Sequence, residues 1–310
     1  MTAVHVITGA GPVGSTVALQ LAETGQQVRL LTRSGSGPDH PMIDRQRVDV
    51  SRPDQLAGAM EGAKVVHHCI HGSAYAARSW RAELPAAERT VLDAAGRAGA
   101  VVVFPESLYS YGPVEGPMTE DMPRNATGGK LGVRSDLLAQ RAASATATIS
   151  IAASDFYGPR VLNAHAGERL FPTVLAGKTM RVVGSLDQPH SFTYVPDLAA
   201  AMIRAAATPE LWNTFLHAPT APPVTQRELI TQVAATAGVP VPRMSALPSW
   251  AVKSIGVVSP STKELVEVSY MFDRPFVVDS TASEARLGLA PTPFDVGLKE
   301  TVAWWRENGS

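Results

Sequence analysis

Short apolar runs recur along the first half of the chain, and segments with helical spacing separate them. Val4-His5-Val6-Ile7-Thr8 reads as a strand. A helix follows in which Val13, Val17 and Leu21 share one face and Gly25 is a stop signal. Residues 27–32 predict a second strand and Arg47-Val48-Asp49-Val50 a third. Ser51-x-x-Asp54 then predicts a capped helix with Pro53 in its first turn. Residues 64–70 predict a fourth strand, 85–99 a helix ending on glycine, 100–104 a fifth strand and 147–152 a sixth. Strict alternation of strand and helix means a parallel sheet covered on both faces, a doubly wound α/β fold of Rossmann type.

From Arg160 the pattern loosens. A short helix is expected over 171–177 and a strand over 180–184. Pro196 opens a helix that runs to Ala207, and 212–217 returns to the sheet. Thr225-x-x-Glu228 is a capping box for a helix that ends at Gly238. Residues 249–258 and 262–272 read as two further helices, where Trp250, Tyr270, Met271 and Phe272 either line a pocket or pack a core. The expected organisation is a dinucleotide-binding domain, 1–159 with 190–218, a smaller substrate lobe, 160–189 with 219–292, and a C-terminal helix over 293–310.

The first strand leads into Gly9-Ala10-Gly11-Pro12-Val13-Gly14, a GxGxxG turn between a strand and a helix. That context suits a dinucleotide pyrophosphate. Gly9 permits the tight turn, Gly11 lets backbone approach the phosphates, and Gly14 lets the helix pack on the strand. The helix that starts at Pro12 and Val13 brings the free N–H groups of its first turn, from Val13 onward, and the positive end of the helix dipole. The second strand ends at Arg33, followed by Ser34 and Ser36. An acidic residue there suits the ribose hydroxyl of NAD, whereas Arg33 and the hydroxyls suit the 2′-phosphate of NADP. NADP is therefore the expected cofactor, with NAD as the alternative. Asp49 and Val50 are expected to border the adenine, although Asp49 equally suits a strand-end cap. His71 and Gly72 are expected to line the loop over the cofactor. His67, His68, Cys69 and His71 invite a metal reading, but alternate strand residues face opposite sides, and no second ligand pair has zinc-like spacing.

Charge and composition narrow the partners. A net charge of −1 over 310 residues offers no electrostatic attraction to nucleic acid or to an anionic membrane. No apolar run reaches the ~18 residues of a membrane-spanning helix. The single Cys69 excludes an internal disulfide and fits a reducing compartment. With the first strand starting so early, there is no room for a signal peptide, so a cytoplasmic protein acting on a small molecule is expected. The sequence leaves monomer and homodimer both open.

After the fifth strand come Glu106-Ser107-Leu108-Tyr109-Ser110-Tyr111-Gly112 and Met118-Thr119-Glu120-Asp121-Met122-Pro123. Further on are Ser154-Asp155-Phe156-Tyr157-Gly158-Pro159, His190 to Asp197, and Arg286 to Pro291. Together these resemble the extended short-chain dehydrogenases/reductases, and more narrowly the NAD(P)-dependent epimerase/dehydratase group. The resemblance spans essentially the whole chain. It implies that Ser107 orients a substrate carbonyl and that Asp155 lies beside the nicotinamide. The family's catalytic helix carries Tyr-x-x-x-Lys, yet here Leu131 takes the tyrosine position and Ser135 the lysine position, with no tyrosine between Tyr111 and Tyr157. Leucine has no proton to exchange. The glycine spacing also departs from the family's usual form. The candidate catalytic set is therefore Ser107, Lys130 and Tyr109, with Lys130 either a tuned base or a solvated helix-start residue. The expected activity is hydride transfer between NADP(H) and a carbonyl or secondary alcohol. The alternatives are a non-catalytic NADP(H) sensor or scaffold, and a non-redox enzyme on the same fold.

Overall fold

A computed structural model describes residues 4–247 and 264–309. Strands β1 (Val4–Thr8), β2 (Val28–Thr32), β3 (Ile43–Arg47), β4 (Ala63–His68), β5 (Val101–Ser107) and β6 (Thr148–Ala153) join the strand Thr214–His217 in one seven-stranded parallel sheet. The spatial order is β3-β2-β1-β4-β5-β6, with Thr214–His217 outermost. The order reverses between β1 and β4, which opens a crevice at their carboxyl ends.

Both faces of the sheet are covered, and successive strand residues are dealt to opposite sides. Ile7, Leu30, Val65 and Val103 pack under helix α1 (Pro12–Glu23) and helix Val195–Ala206. Val6, Leu31, Val66 and Val102 pack under α2 (Pro53–Ala59) and α3 (Ala77–Ala98). Burial on both sides is why these strands read as continuous apolar runs. Tyr157, Phe171, Val174, Leu229, Val233, Leu298 and Trp305 form a second core. It joins the short helix Phe171–Leu175, the helix Gln226–Ala237 with its Thr225/Glu228 capping box, and the C-terminal helix Phe294–Asn308. Among the described residues no helix is long and apolar enough to cross a membrane.

Three elements differ from expectation. The third strand is Ile43–Arg47, not 47–50. It is an edge strand whose Asp44, Arg45 and Arg47 carry the charge that edges tolerate, which hides it from an apolar search. Val48 and Val50 are buried, but they lead away from the strand end. Ser51 does not cap α2: the N-cap is Arg52, and Ser51 instead donates to Asp49 through its amide (3.0 Å) and hydroxyl (2.7 Å). Helix α3 begins at Ala77, so Pro85 lies inside it. Trp80 and Leu84, on the upstream part, pack against Val133 and Leu137 of helix α4 (Gly129–Ala142), and this burial offsets the proline penalty of ~3 kcal/mol. The expected helix over 249–258 lies outside the described residues, as do Trp250 and the start of the helix expected over 262–272. The rest of the latter is broken: 264–266 is helical, and Tyr270–Asp273 is a separate short helix.

A buried ion network ties α3, α4 and the sheet together. Arg141 donates to both oxygens of Glu88 (2.8 and 2.6 Å), to Glu106 Oε2 (2.7 Å) and to Ser150 Oγ (3.0 Å). Arg134 Nη1 lies 3.4 Å from Glu106 Oε1. Burial alone would raise the Glu106 carboxyl, but Arg134 and Arg141 outweigh it and hold it below the usual range. Removing one partner strands the others in low dielectric. Arg141→Met is expected to cost about 3–5 kcal/mol in urea-unfolding stability. A loss below about 1 kcal/mol, the scale of an exposed pair, would contradict the network's structural role.

Candidate functional site

The glycine turn sits at the reversal point between β1 and β4. Gly9 has φ +90°, and a Cβ there would lie 2.9 Å from the Cys69 carbonyl oxygen on the neighbouring strand end. A Cβ on Gly14 would drive into the carbonyl oxygen of Gly9, so the helix can start this close only with glycine there. Gly11 is the N-cap of α1, and a Cβ there would meet no protein atom within 4 Å. Pro12 occupies the first turn and no side chain caps the helix, so the amides that follow, beginning with Val13, face this open space. The three glycines thus have three different reasons: a turn, an open approach and a close contact.

Arg33, Arg47, Asp49 and Gln55 line a cavity of about 400 Å³ beyond the ends of β2 and β3. Ser34 and Ser36 hydroxyls lie 2.8 Å apart on the adjoining loop. The Asp49 carboxyl is held below its usual range, first by the two Ser51 hydrogen bonds and further by the charges of Arg33 and Arg52. Its amide donates to Gln55 Oε1 at 2.9 Å. Asp49 is thus both a cavity wall and a local cap, while Val50 packs beneath. Arg47 and Gln55 were not singled out from sequence; the signal for Arg47 was the charged edge strand that it ends, whereas Gln55 lies in the first turn of α2.

On β4 the histidines diverge. His67 Nε2 faces His5 Nδ1 at 3.4 Å, whereas His68 Nδ1 lies 2.7 Å from Thr8 Oγ1. Burial pushes both imidazoles down to about 3 and the Cys69 thiol up to about 12. His71 is exposed, its ring edge-on to Trp80 with centroids 4.8 Å apart.

A second group of polar side chains gathers where β5 and β6 stop. Ser107 is half-buried, and its amide and hydroxyl both donate to Glu106 Oε1, at 2.7 and 3.2 Å. Tyr109 hydroxyl lies 2.6 Å from the hydroxyl of Tyr75, a residue that sequence reasoning passed over because it sits in the irregular loop before α3. Burial raises both phenols, Tyr75 to about 12 and Tyr109 well above its ordinary value. Both therefore stay protonated at neutral pH; one hydroxyl donates to the other, which leaves one O–H for a further acceptor. Trp80 stacks on Tyr109, and Arg134 lies over the Trp80 ring at 4.9 Å. The other tyrosines considered lie elsewhere. Tyr111 hydroxyl is within 2.8 Å of His217 Nε2 and 2.9 Å of the Thr119 carbonyl, and Tyr157 is buried in the second core.

Lys130 is fully buried. Its ammonium donates to Glu264 Oε2 (2.7 Å), Glu267 Oε2 (2.7 Å) and the Glu264 carbonyl (2.8 Å). These three acceptors use all three of its protons, so the expectation of a catalytic Lys130 gives way to a clamp. The clamp is tight: Gly129 has φ +48°, and any Cβ there would strike the Glu267 carboxylate. Leu131 packs with Leu108, Met118 and Met271, and Ser135 Oγ donates back to the Leu131 carbonyl at 3.4 Å. Asp155 opens strand β7 (Asp155–Tyr157), which pairs with Phe192–Tyr194. Its Oδ2 lies 2.7 Å from His190 Nε2, a partner that the sequence did not mark. Among the described residues, no three His, Cys, Asp or Glu side chains converge to hold a metal.

The fold recurs in known structures. The Bordetella bronchiseptica enzyme WbmH, solved in complex with NAD+, has a TM-score of 0.78 at 19% identity over 100% of both chains. A UDP-glucuronic acid 4-epimerase from Bacillus cereus, in complex with NAD, has a TM-score of 0.77 at 16% identity over 98% of this chain and 99% of its own. A Thermotoga maritima UDP-glucose 4-epimerase with UDP-glucose scores 0.76 at 18% identity over 99% of this chain and 100% of its own. No curated protein matches the sequence significantly. The profile of the NAD dependent epimerase/dehydratase family matches residues 5–214, more than half of the chain, and the chain belongs to that family.

Proposed function

We propose that the protein is an NADP(H)-dependent oxidoreductase of the epimerase/dehydratase type, acting on a carbonyl or secondary alcohol of a small molecule. The observation that carries this reading is the open space above Gly11 at the reversal point of the sheet, with uncapped helix amides facing it. Gly9, Gly11, Pro12, Val13 and Gly14 would hold the pyrophosphate, with His71 over it. Asp49 and Val50 would border the adenine, and Asp155 would lie by the nicotinamide. The cofactor, when bound, supplies or accepts a hydride. Ser107 would orient the substrate oxygen, and the one hydroxyl proton that the Tyr75–Tyr109 pair does not use internally would be donated beside it. Segments 160–189 and 219–292 would form the substrate lobe.

Arg33 supports NADP. It stands with Arg47 on a cavity beyond β2, with the Ser34 and Ser36 hydroxyls nearby, a donor set suited to a 2′-phosphate. The solved relatives described with a dinucleotide carry NAD, so this preference rests on this chain's own residues. A nucleotide sugar is the first substrate class to test, because the Thermotoga relative was solved with UDP-glucose. The sensor reading is favoured by Leu131 and Ser135 in the place of the family's tyrosine and lysine.

The decisive experiment is to measure NADP(H) and NAD(H) affinity by calorimetry. Cofactor absorbance is then followed with UDP-glucose, UDP-glucuronic acid and a carbonyl panel. Tight binding without turnover would select the sensor. Arg33→Ala is expected to weaken NADPH by roughly 10–100-fold, the scale of a charged hydrogen bond, and to leave NADH within threefold. Equal losses for both cofactors would remove the case for NADP. Gly11→Ala should keep the wild-type unfolding midpoint yet weaken dinucleotide binding by about tenfold or more, because the added methyl fills only the open space. Gly14→Ala should lower stability by about 1–3 kcal/mol, because its methyl meets backbone. Calorimetry and urea titration of the pair check this; unchanged affinity in Gly11→Ala would move the cofactor elsewhere.

A further inference from the structure

The family's proton donor is missing from α4, and Lys130 is committed to two carboxylates. A second proton-holding pair stands at the same edge of the sheet. Ser107, at the end of β5, is in register with Ala153 at the end of β6, and Asp155 follows two residues later. Asp155 also counts among the charges that, after burial, raise the Tyr75 and Tyr109 phenols.

The partners of His190 fix where its protons are. Its Nδ1 lies 3.1 Å from the Met271 carbonyl oxygen, which only accepts, so Nδ1 carries a hydrogen. Its Nε2 lies 2.7 Å from Asp155 Oδ2. A bare imidazole nitrogen and a carboxylate are both acceptors and would repel at that distance, so one further proton sits between them. The pair is therefore either carboxylate with imidazolium or carboxylic acid with neutral imidazole, and in both forms its net charge is zero. His190 is enclosed: it is 2% exposed and stacks on Phe272 with centroids 4.9 Å apart, with Phe192 and Phe276 also against it. The Asp155 side chain is 21% exposed. The shared proton thus has one way out, through Asp155. The other imidazole in range, His165, is held by Gln226 Oε1 at 2.6 Å.

We propose that Asp155 is the proton-transfer residue of this site and that His190 positions it and stores its proton; the proposal rests on the hydride-transfer reading above. In the reducing direction the carbonyl carbon gains the hydride. The carbonyl π pair takes a proton from Asp155, and the shared proton is thereby spent. The resulting carboxylate and bare Nε2 repel, and the pair regains a proton from water through the partly exposed Asp155 side chain. In the oxidising direction the pair first releases its shared proton to water, and Asp155 then takes the alcohol proton as the carbon loses its hydride. Atoms and charge balance with NADP(H) as the only redox partner.

The test uses the full chain. Nitrogen-15 spectra of imidazole-labelled protein at neutral pH, with His190 assigned by loss of its signals in His190→Gln, should show both ring nitrogens of His190 sharing protons. Asp155→Asn should leave Nε2 as an unprotonated nitrogen. With any substrate the wild type turns over, Asp155→Asn should lower kcat by roughly 10²–10⁴-fold while KM and NADPH affinity stay within threefold. His190→Gln, which can still hold Asp155 but cannot store its proton, should lower kcat by a smaller factor, again at constant KM. Turnover retained in Asp155→Asn, or a His190 spectrum indifferent to that substitution, overturns the proposal alone. Absence of wild-type turnover across the panel overturns it together with the reading on which it rests.

Discussion

Four buried charges at the end of β5 set the frame for the rest of the site. Glu106 stands inside an otherwise apolar strand and is bearable there only because Arg134 and Arg141 face it, and Arg141 is in turn held by Glu88 on α3. The network locks α3, α4 and the sheet at one point. The side chains beyond the end of β5 hang from it: Ser107 donates to the same Glu106, Arg134 reaches over Trp80, and Trp80 stacks on Tyr109. A buried charge without its partners costs several kcal/mol, so these side chains have little freedom to rearrange.

That frame also holds α4, a helix with no tyrosine, in its place. Leu131 now contributes to the apolar cluster under the site. The nearby Lys130 has turned into a fastener that draws Glu264 and Glu267 onto the start of the helix, at a point where Gly129 allows close approach. Two further polar pairs stand beyond the sheet's carboxyl edge: the hydroxyls of Tyr75 and Tyr109, and Asp155 with His190. Burial raises the phenols, whereas on Asp155 the opposing contribution of His190 prevails.

The parallel sheet, its helices and the glycine turn were legible in the sequence because each is encoded locally. Continuous apolar runs follow from burial on both faces, and three glycines at fixed spacing follow from a turn, an approach and a contact, all within a few residues. Arg33 was legible for the same reason, since it directly follows a recognisable strand. The third strand was misplaced because an edge strand can be charged, and α3 was cut short because Pro85 looked like a boundary until Trp80 and Leu84 found α4 to pack against.

The partnerships were decided only in three dimensions. Nothing near Lys130 in the chain announces Glu264 and Glu267, and nothing near Asp155 announces His190; each meeting requires the sheet to be assembled first. The sequence by itself determined the layered α/β fold, the site of the turn and the absence of a tyrosine from α4. Tertiary structure decided which ionisable groups meet: Lys130 with Glu264 and Glu267, and Asp155 with His190. The reason is physical: a side chain's chemistry depends on its burial and on the charges facing it, and those come from distant segments.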